Sequence, residues 1–173
     1  LLHLESKTLA AMSFFIIGIA VVRITTLFRG PLVDQTTIPN EAVNFIQAKR
    51  LDFPILNEFS TGGYLIYRFS DPRTGEPINK VPIDGRTNVN ALEIWDLYRA
   101  SLMGRSNWRD YIAKVQAETI LWHYSSPLAA LLELSPEWCN VHSSGIKEER
   151  MVVFVKRENF EKRRAEFSSP DCS

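Results

Sequence analysis

FPILNEFSTGGYLIYRF, residues 53–69, is the stretch on which the fold turns. Residues 53–59 form a short apolar run of strand length, read as a buried strand. Ser60-Thr61-Gly62-Gly63 then supplies a turn, and residues 64–69 read as the next helix, capped by Ser60 or Thr61. A buried strand running straight into a helix is the unit of an α/β fold.

Working outward, Pro39-Asn40-Glu41 opens a helix whose apolar face is Ala42, Val43, Phe45, Ile46 and Leu51. Residues 71–79, rich in Pro, Gly and Asp, are a loop, and residues 80–84 are a short strand whose Pro82 suits an edge. Helices follow over 91–103 and 107–115, then a strand over 119–122. Ser126-Pro127 caps and starts another helix, ending near Leu134. Residues 138–142 and 150–156 are two strands turning at Ser143-Ser144-Gly145. The order predicts a Rossmann-like three-layer α/β domain over 31–160, with a mainly parallel sheet and a C-terminal β-hairpin. Residues 161–173 are a polar tail, and the chain from Phe160 onward is expected to be solvated.

Ahead of this domain, residues 9–22 read LAAMSFFIIGIAVV, uncharged throughout. Extended through Phe28, the run approaches the about 20 residues that cross about 30 Å of hydrocarbon. Arg29-Gly30-Pro31 ends it, and Arg23 can snorkel from near its end. Residues 1–30 are therefore read as one transmembrane helix with its flanks. The competing readings are a signal-like anchor, for which no A-x-A-like cleavage site follows, and a buried core helix; basic residues on both sides leave orientation open. The chain opens at Leu1, in LLHL, as expected of a piece of something longer.

Twenty basic residues balance twenty acidic ones, and no basic stripe of the kind a nucleic-acid binder carries shows outside the short C-terminal tail. Cys139 and Cys172 sit in no metal-binding spacing and are expected to be two unpaired thiols. The three histidines, His3, His123 and His142, make no ligand spacing either, so no metal is expected. There is no GxSxG elbow and no GxGxxG fingerprint, hence neither a catalytic residue nor a cofactor is assigned.

Open α/β sheets bind ligands beyond the carboxyl ends of their parallel strands. Three of those ends carry polar groups, Asn57 and Glu58, then Asp84 and Arg86, then His123, with Gly62 and Gly63 at a helix start suited to an anion. Asn57, Glu58, Gly62, Gly63, Asp84 and Arg86 are the candidate ligand site. The competing reading is structural: an Asp84-Gly85-Arg86 turn that bonds to itself. His123 is expected to be a satisfied structural histidine. Trp95, Tyr98, Trp108 and Tyr111, at helical spacing, are expected in the core rather than as a sugar-stacking platform.

Four segments together carry a resemblance: Pro39-Asn40-Glu41-Ala42, then Leu56-Asn57-Glu58-Phe59 with Gly62-Gly63-Tyr64-Leu65-Ile66, then Val81-Pro82-Ile83-Asp84-Gly85-Arg86, and Trp138. Residues 39–157 resemble the C-terminal extracytoplasmic domain of bacterial polytopic membrane proteins of the glycosyltransferase-like group (GT-C, protein-mannosyltransferase-like). The resemblance implies a periplasmic domain, upstream transmembrane helices of the same protein, the lipid bilayer, and a polyprenyl-phosphate sugar or its acceptor as partners. It also implies that the catalytic carboxylates lie in a membrane core absent from these residues, so no position here inherits a catalytic role. The expected function is accessory and non-catalytic. The alternative is a membrane-tethered ligand- or protein-binding module with no transferase core.

Overall fold

A computed structural model describes residues 12–13, 15–24, 38–51, 53–86, 91–145, 150–167 and 172. The chain divides into two compact units, residues 1–35 and 36–173.

In the first unit, residues 12–13 and 15–24 are helical. Phe15, Ile16, Ile17, Ile19, Val21, Val22 and Ile24 each expose half or more of their surface. Among the described residues no helix is long and apolar enough to cross a membrane, so the spanning helix expected over 9–28 is not found among them. Residues 9–11, 14 and 25–28 of that span lie outside the described residues.

The second unit is a mixed α/β domain. Its elements are α1 (Asn40–Ala48), β1 (Ile55–Asn57), α2 (Phe59–Arg68), α3 (Leu92–Leu102), α4 (Trp108–Val115), β2 (Thr119–His123), α5 (Pro127–Glu133), β3 (Trp138–Ser144), β4 (Met151–Lys156) and α6 (Arg157–Lys162). A 3-10 turn, Arg164–Glu166, closes the series. Ser126 caps α5 as read: its Oγ accepts the Ala129 N–H at 3.1 Å, with Pro127 in the first turn.

The four strands lie in the order β1-β2-β4-β3. β1 and β2 are parallel, pairing Ile55 with Thr119 and Asn57 with Leu121. β4 is antiparallel to both β2 and β3, so the β-hairpin forms as expected but the mainly parallel sheet does not. Two causes combine. Residues 80–84 make no strand: Pro82 has no N–H to give a ladder, and the Ile83 carbonyl is taken by the Asn57 side chain. The hairpin then inserts β4, not β3, beside β2.

Because side chains alternate across a strand, the sheet has two buried faces. Ile120, Trp122, Val152 and Phe154 pack with Tyr98, Tyr111 and Leu128 from α3, α4 and α5. Leu121, Val153 and Val155 pack with Val43, Ile46, Leu65 and Phe160 from α1, α2 and α6. Tyr98, Trp108 and Tyr111 are buried, as their helical spacing suggested.

The C-terminal segment corrects two expectations. Phe160 is fully buried and Phe167 nearly so, so the segment is anchored at both ends rather than frayed, while Glu161, Lys162 and residues 164–166 between them stay exposed. Arg163 donates to the backbone carbonyls of Lys49 and Arg50, tying this segment to the end of α1. Cys172 returns to β3 and forms a disulfide with Cys139, Cα to Cα 4.9 Å, in place of the two unpaired thiols. The two cysteines lie 33 positions apart in sequence, with β4, α6 and the 3-10 turn between them.

Candidate functional site

α2 begins at Phe59, five residues before the start read from the sequence, because Gly62 and Gly63 lie inside the helix rather than in a turn. Glu58 occupies the N-cap with extended backbone, and neither Ser60 nor Thr61 caps. The Thr61 hydroxyl instead donates to the Glu58 carbonyl at 2.9 Å.

The reason for Gly62 is steric. A Cβ at that position would lie 2.1 Å from the Ile83 carbonyl oxygen and 2.7 Å from Asp84 Cα. The segment around Ile83 and Asp84 thus rests directly on the helix backbone. Asn57, fully buried at the end of β1, fastens the same segment: its Nδ2 donates to the Ile83 carbonyl at 2.9 Å and to the Glu58 carbonyl at 2.7 Å. Asn57 Oδ1 is buried with no partner among the described residues.

Asp84 is buried and Arg86 largely exposed. Asp84 Oδ1 accepts the Arg86 N–H at 2.8 Å and its Nε at 2.9 Å, and Oδ2 accepts Nη2 at 2.6 Å. The bidentate guanidinium holds the Asp84 carboxyl below the usual carboxylate range, against the opposing effect of burial. The turn does bond to itself, so Asp84 and Arg86 are a structural pair before anything else.

Glu58 is the unusual group. Its carboxylate is nearly buried, and Oε1 accepts the His123 backbone N–H at 2.9 Å while Oε2 lies 3.8 Å from His123 Nε2. Burial pushes its pKa up, and the His123 N–H and imidazole pull it back only in part. Nearby, the Phe59 N–H donates to the Tyr98 hydroxyl at 3.4 Å. Burial raises the Tyr98 phenol, the Phe59 N–H opposes this, and the Glu58 charge adds to the rise. A buried acid with a shifted pKa at a strand end marks a place to look for function, although buried structural groups shift as well.

Of the six candidate residues, the structure brings Asn57, Glu58, Gly62, Asp84 and Arg86 to the carboxyl end of the β1–β2 pair. Gly63 points elsewhere: nothing lies within 4 Å of an added Cβ there. His123, expected to be structural only, joins the group through Glu58. The signal for it was its position at the end of the strand beside β1, where Asn57 pairs with Leu121.

A cleft of about 930 Å³ lies at the other end of the sheet and includes Phe53, Glu118, Trp138 and Lys156. Its rim charges pair among themselves, Lys156 with Glu118 at 2.6 Å and Arg109 with Glu137 at 3.8 Å. The buried acid therefore identifies the strand end better than cavity size does. Among the described residues no group of three or more His, Cys, Asp or Glu side chains could hold a metal.

No protein-family model, no curated protein and no solved structure matches this chain.

Proposed function

We propose that this chain is a non-catalytic accessory domain of a membrane-embedded glycosyltransferase-like protein acting on lipid-phosphate-linked sugars, with its N-terminal helix in contact with the bilayer. The observation that carries the reading is that helix. Its apolar side chains from Phe15 to Ile24 are at least half exposed on every side, a surface whose natural solvent is lipid.

Two further observations support it. The segments that resemble the glycosyltransferase-like group are physically joined, since Asn57 holds the Ile83 carbonyl and Gly62 admits Asp84 against α2. Their co-occurrence in one sequence then has a mechanical basis. The Cys139–Cys172 disulfide also suits an oxidising, extracytoplasmic compartment.

The test is vesicle flotation of the full chain with phosphatidylethanolamine and phosphatidylglycerol. Wild type should float with lipid, and Ile16→Glu with Ile19→Glu should remain in solution. A wild-type chain that stays in solution as a monomer would remove the membrane part of the reading. With undecaprenyl-phosphate sugars, wild type should show no transfer. Turnover lost in Glu58→Gln would overturn the non-catalytic assignment.

A further inference from the structure

Gly62 and Gly63 are neighbours in α2 but face different surroundings. Gly62 is packed against Ile83 and Asp84, while Gly63 opens on a cleft of about 590 Å³ between α2 and the turn that follows it. The walls of this cleft include Ile66, Tyr67, Ser70, Asp71 and Pro72.

The turn is well tied. Ser70 and Pro77 form an antiparallel bridge, the Asp71 N–H donates to the Glu76 carbonyl at 2.8 Å, and the Gly75 N–H donates to the Asp71 carbonyl at 2.8 Å. Asp71 Oδ1 accepts the Arg73 N–H at 2.7 Å. The Ser70 hydroxyl donates to the Ile66 carbonyl at 2.5 Å, which leaves its oxygen able to accept. Tyr67, one helical turn beyond Gly63, is 75% exposed, the largest exposure of any tyrosine among the described residues.

Arg68 also borders the cleft, but its guanidinium is engaged elsewhere. Nη1 donates to Asn40 Oδ1 and to the Tyr64 hydroxyl, both at 2.7 Å, and Nη2 donates to Asn44 Oδ1 at 2.7 Å and Gln47 Oε1 at 2.5 Å. These contacts bind α2 to α1.

The chemistry of the walls discriminates between classes of occupant. A purely apolar ligand would cover Asp71 and Ser70 without pairing them, which is unfavourable. An anion would meet the Asp71 carboxylate, with the one bordering guanidinium already committed to α1. A neutral, hydroxyl-rich ring meets both conditions. Its C–H face can lie on the Tyr67 ring, and its hydroxyls can donate to Asp71 and Ser70. We infer that this cleft is a binding site for a neutral carbohydrate, with Tyr67 as the stacking platform and the space over Gly63 as the seat of the sugar ring. The inference rests on α2 and its turn alone and does not require the strand-end reading.

The experiment is calorimetric titration of the full chain in phosphocholine micelles with chitotetraose, mannotetraose and maltotetraose. Glycosidic detergents are avoided because their headgroups would compete. At least one of the three sugars should bind saturably. Tyr67→Ala should weaken that binding about tenfold, as expected for loss of about 1.4 kcal/mol of contact. Gly63→Leu should abolish it by filling the seat, with a melting temperature equal to or above wild type, because glycine is a poor helix residue. Asp84→Ala should leave sugar binding unchanged, which separates this cleft from the strand end. Absence of saturable binding by wild type to all three sugars overturns the inference, as does binding that survives both Tyr67→Ala and Gly63→Leu.

Discussion

The two faces of α2 differ by one residue in sequence and by everything in environment. On one face Gly62 presses against backbone, so close that a methyl group cannot be inserted. On the other, Gly63 borders open space beside an exposed tyrosine. Two adjacent glycines therefore have opposite explanations, one a packing requirement and the other an opening. A Gly-Gly pair in sequence cannot be assigned a single role, and the surroundings of each Cα decide it.

The sharpest way to break this contrast is Gly62→Ala. The nearest obstacle to the new Cβ is the Ile83 carbonyl, which is backbone and is itself held by Asn57. Relief requires moving the segment around Ile83 and Asp84 off the helix, at a cost of about 3 kcal/mol. Chemical denaturation should show the loss directly. A Gly62→Ala protein as stable as wild type would mean that this segment does not rest on α2.

Asp84→Ala tests the same packed face with a smaller effect. The exposed Arg86 guanidinium can rehydrate, so the main loss is the acceptor of the Arg86 N–H, about 1–2 kcal/mol. The acid response gives a second readout. Arg86 lowers the folded pKa of Asp84 below its unfolded value of 3.8. Its stabilisation is therefore present above about that pH and is lost as pH falls through the lower folded value. The alanine variant should lack this component of the acid transition. If its melt instead matches wild type while binding of an anionic lipid headgroup is lost, the pair serves a ligand and the structural assignment fails.

Much of the fold was legible because it is written in local periodicity. The apolar faces of α1, α3, α4 and α5, the Ser126-Pro127 helix start and the closing hairpin all follow from spacing and turn chemistry. What was not legible depends on contacts between distant segments. Residues 80–84 look like a strand, yet the Asn57 amide, 26 residues away, takes the Ile83 carbonyl. Element order points to a parallel sheet, and the insertion of β4 beside β2 makes most of the pairings antiparallel. The disulfide depends on the path of α6, and the polar composition of that segment conceals two phenylalanines, Phe160 and Phe167, that anchor it. The residues at the strand ends are legible, because polar residues at the ends of apolar runs are visible in sequence. The exposure of Tyr67 is not, because helical spacing alone does not say which aromatic stays outside.

Glu58, at the start of the same helix, offers a smaller and pH-dependent test. Its folded pKa is raised by burial above the unfolded value of 4.5. The sign follows: the stability Glu58 contributes is fully present below about pH 4.5 and is lost as pH rises through the folded pKa. Glu58→Gln keeps an oxygen to accept the His123 N–H and has no charge to bury. The variant should therefore gain on wild type as pH rises from 4.5 toward neutrality, measured by parallel denaturation series. A difference that stays constant across that range would show that burial does not set the state of this carboxyl.

The smallest expected effect is also the one that most directly opposes Gly62 to Gly63. Gly63→Ala introduces the same methyl group one residue along the same helix, with nothing within 4 Å to meet it. Alanine restricts the unfolded chain and propagates a helix better than glycine, so the variant should be more stable by about 0.5–1 kcal/mol. The two alanine variants then bracket wild type from opposite sides, and neither propensity nor composition can produce that split, since both are identical at the two positions. Only the surroundings differ. A loss of stability in Gly63→Ala would mean that the face of α2 beside Tyr67 is packed rather than open, and the carbohydrate cleft would lose its floor. A gain, together with the Gly62→Ala loss, assigns one glycine to the fold and leaves the other available to function.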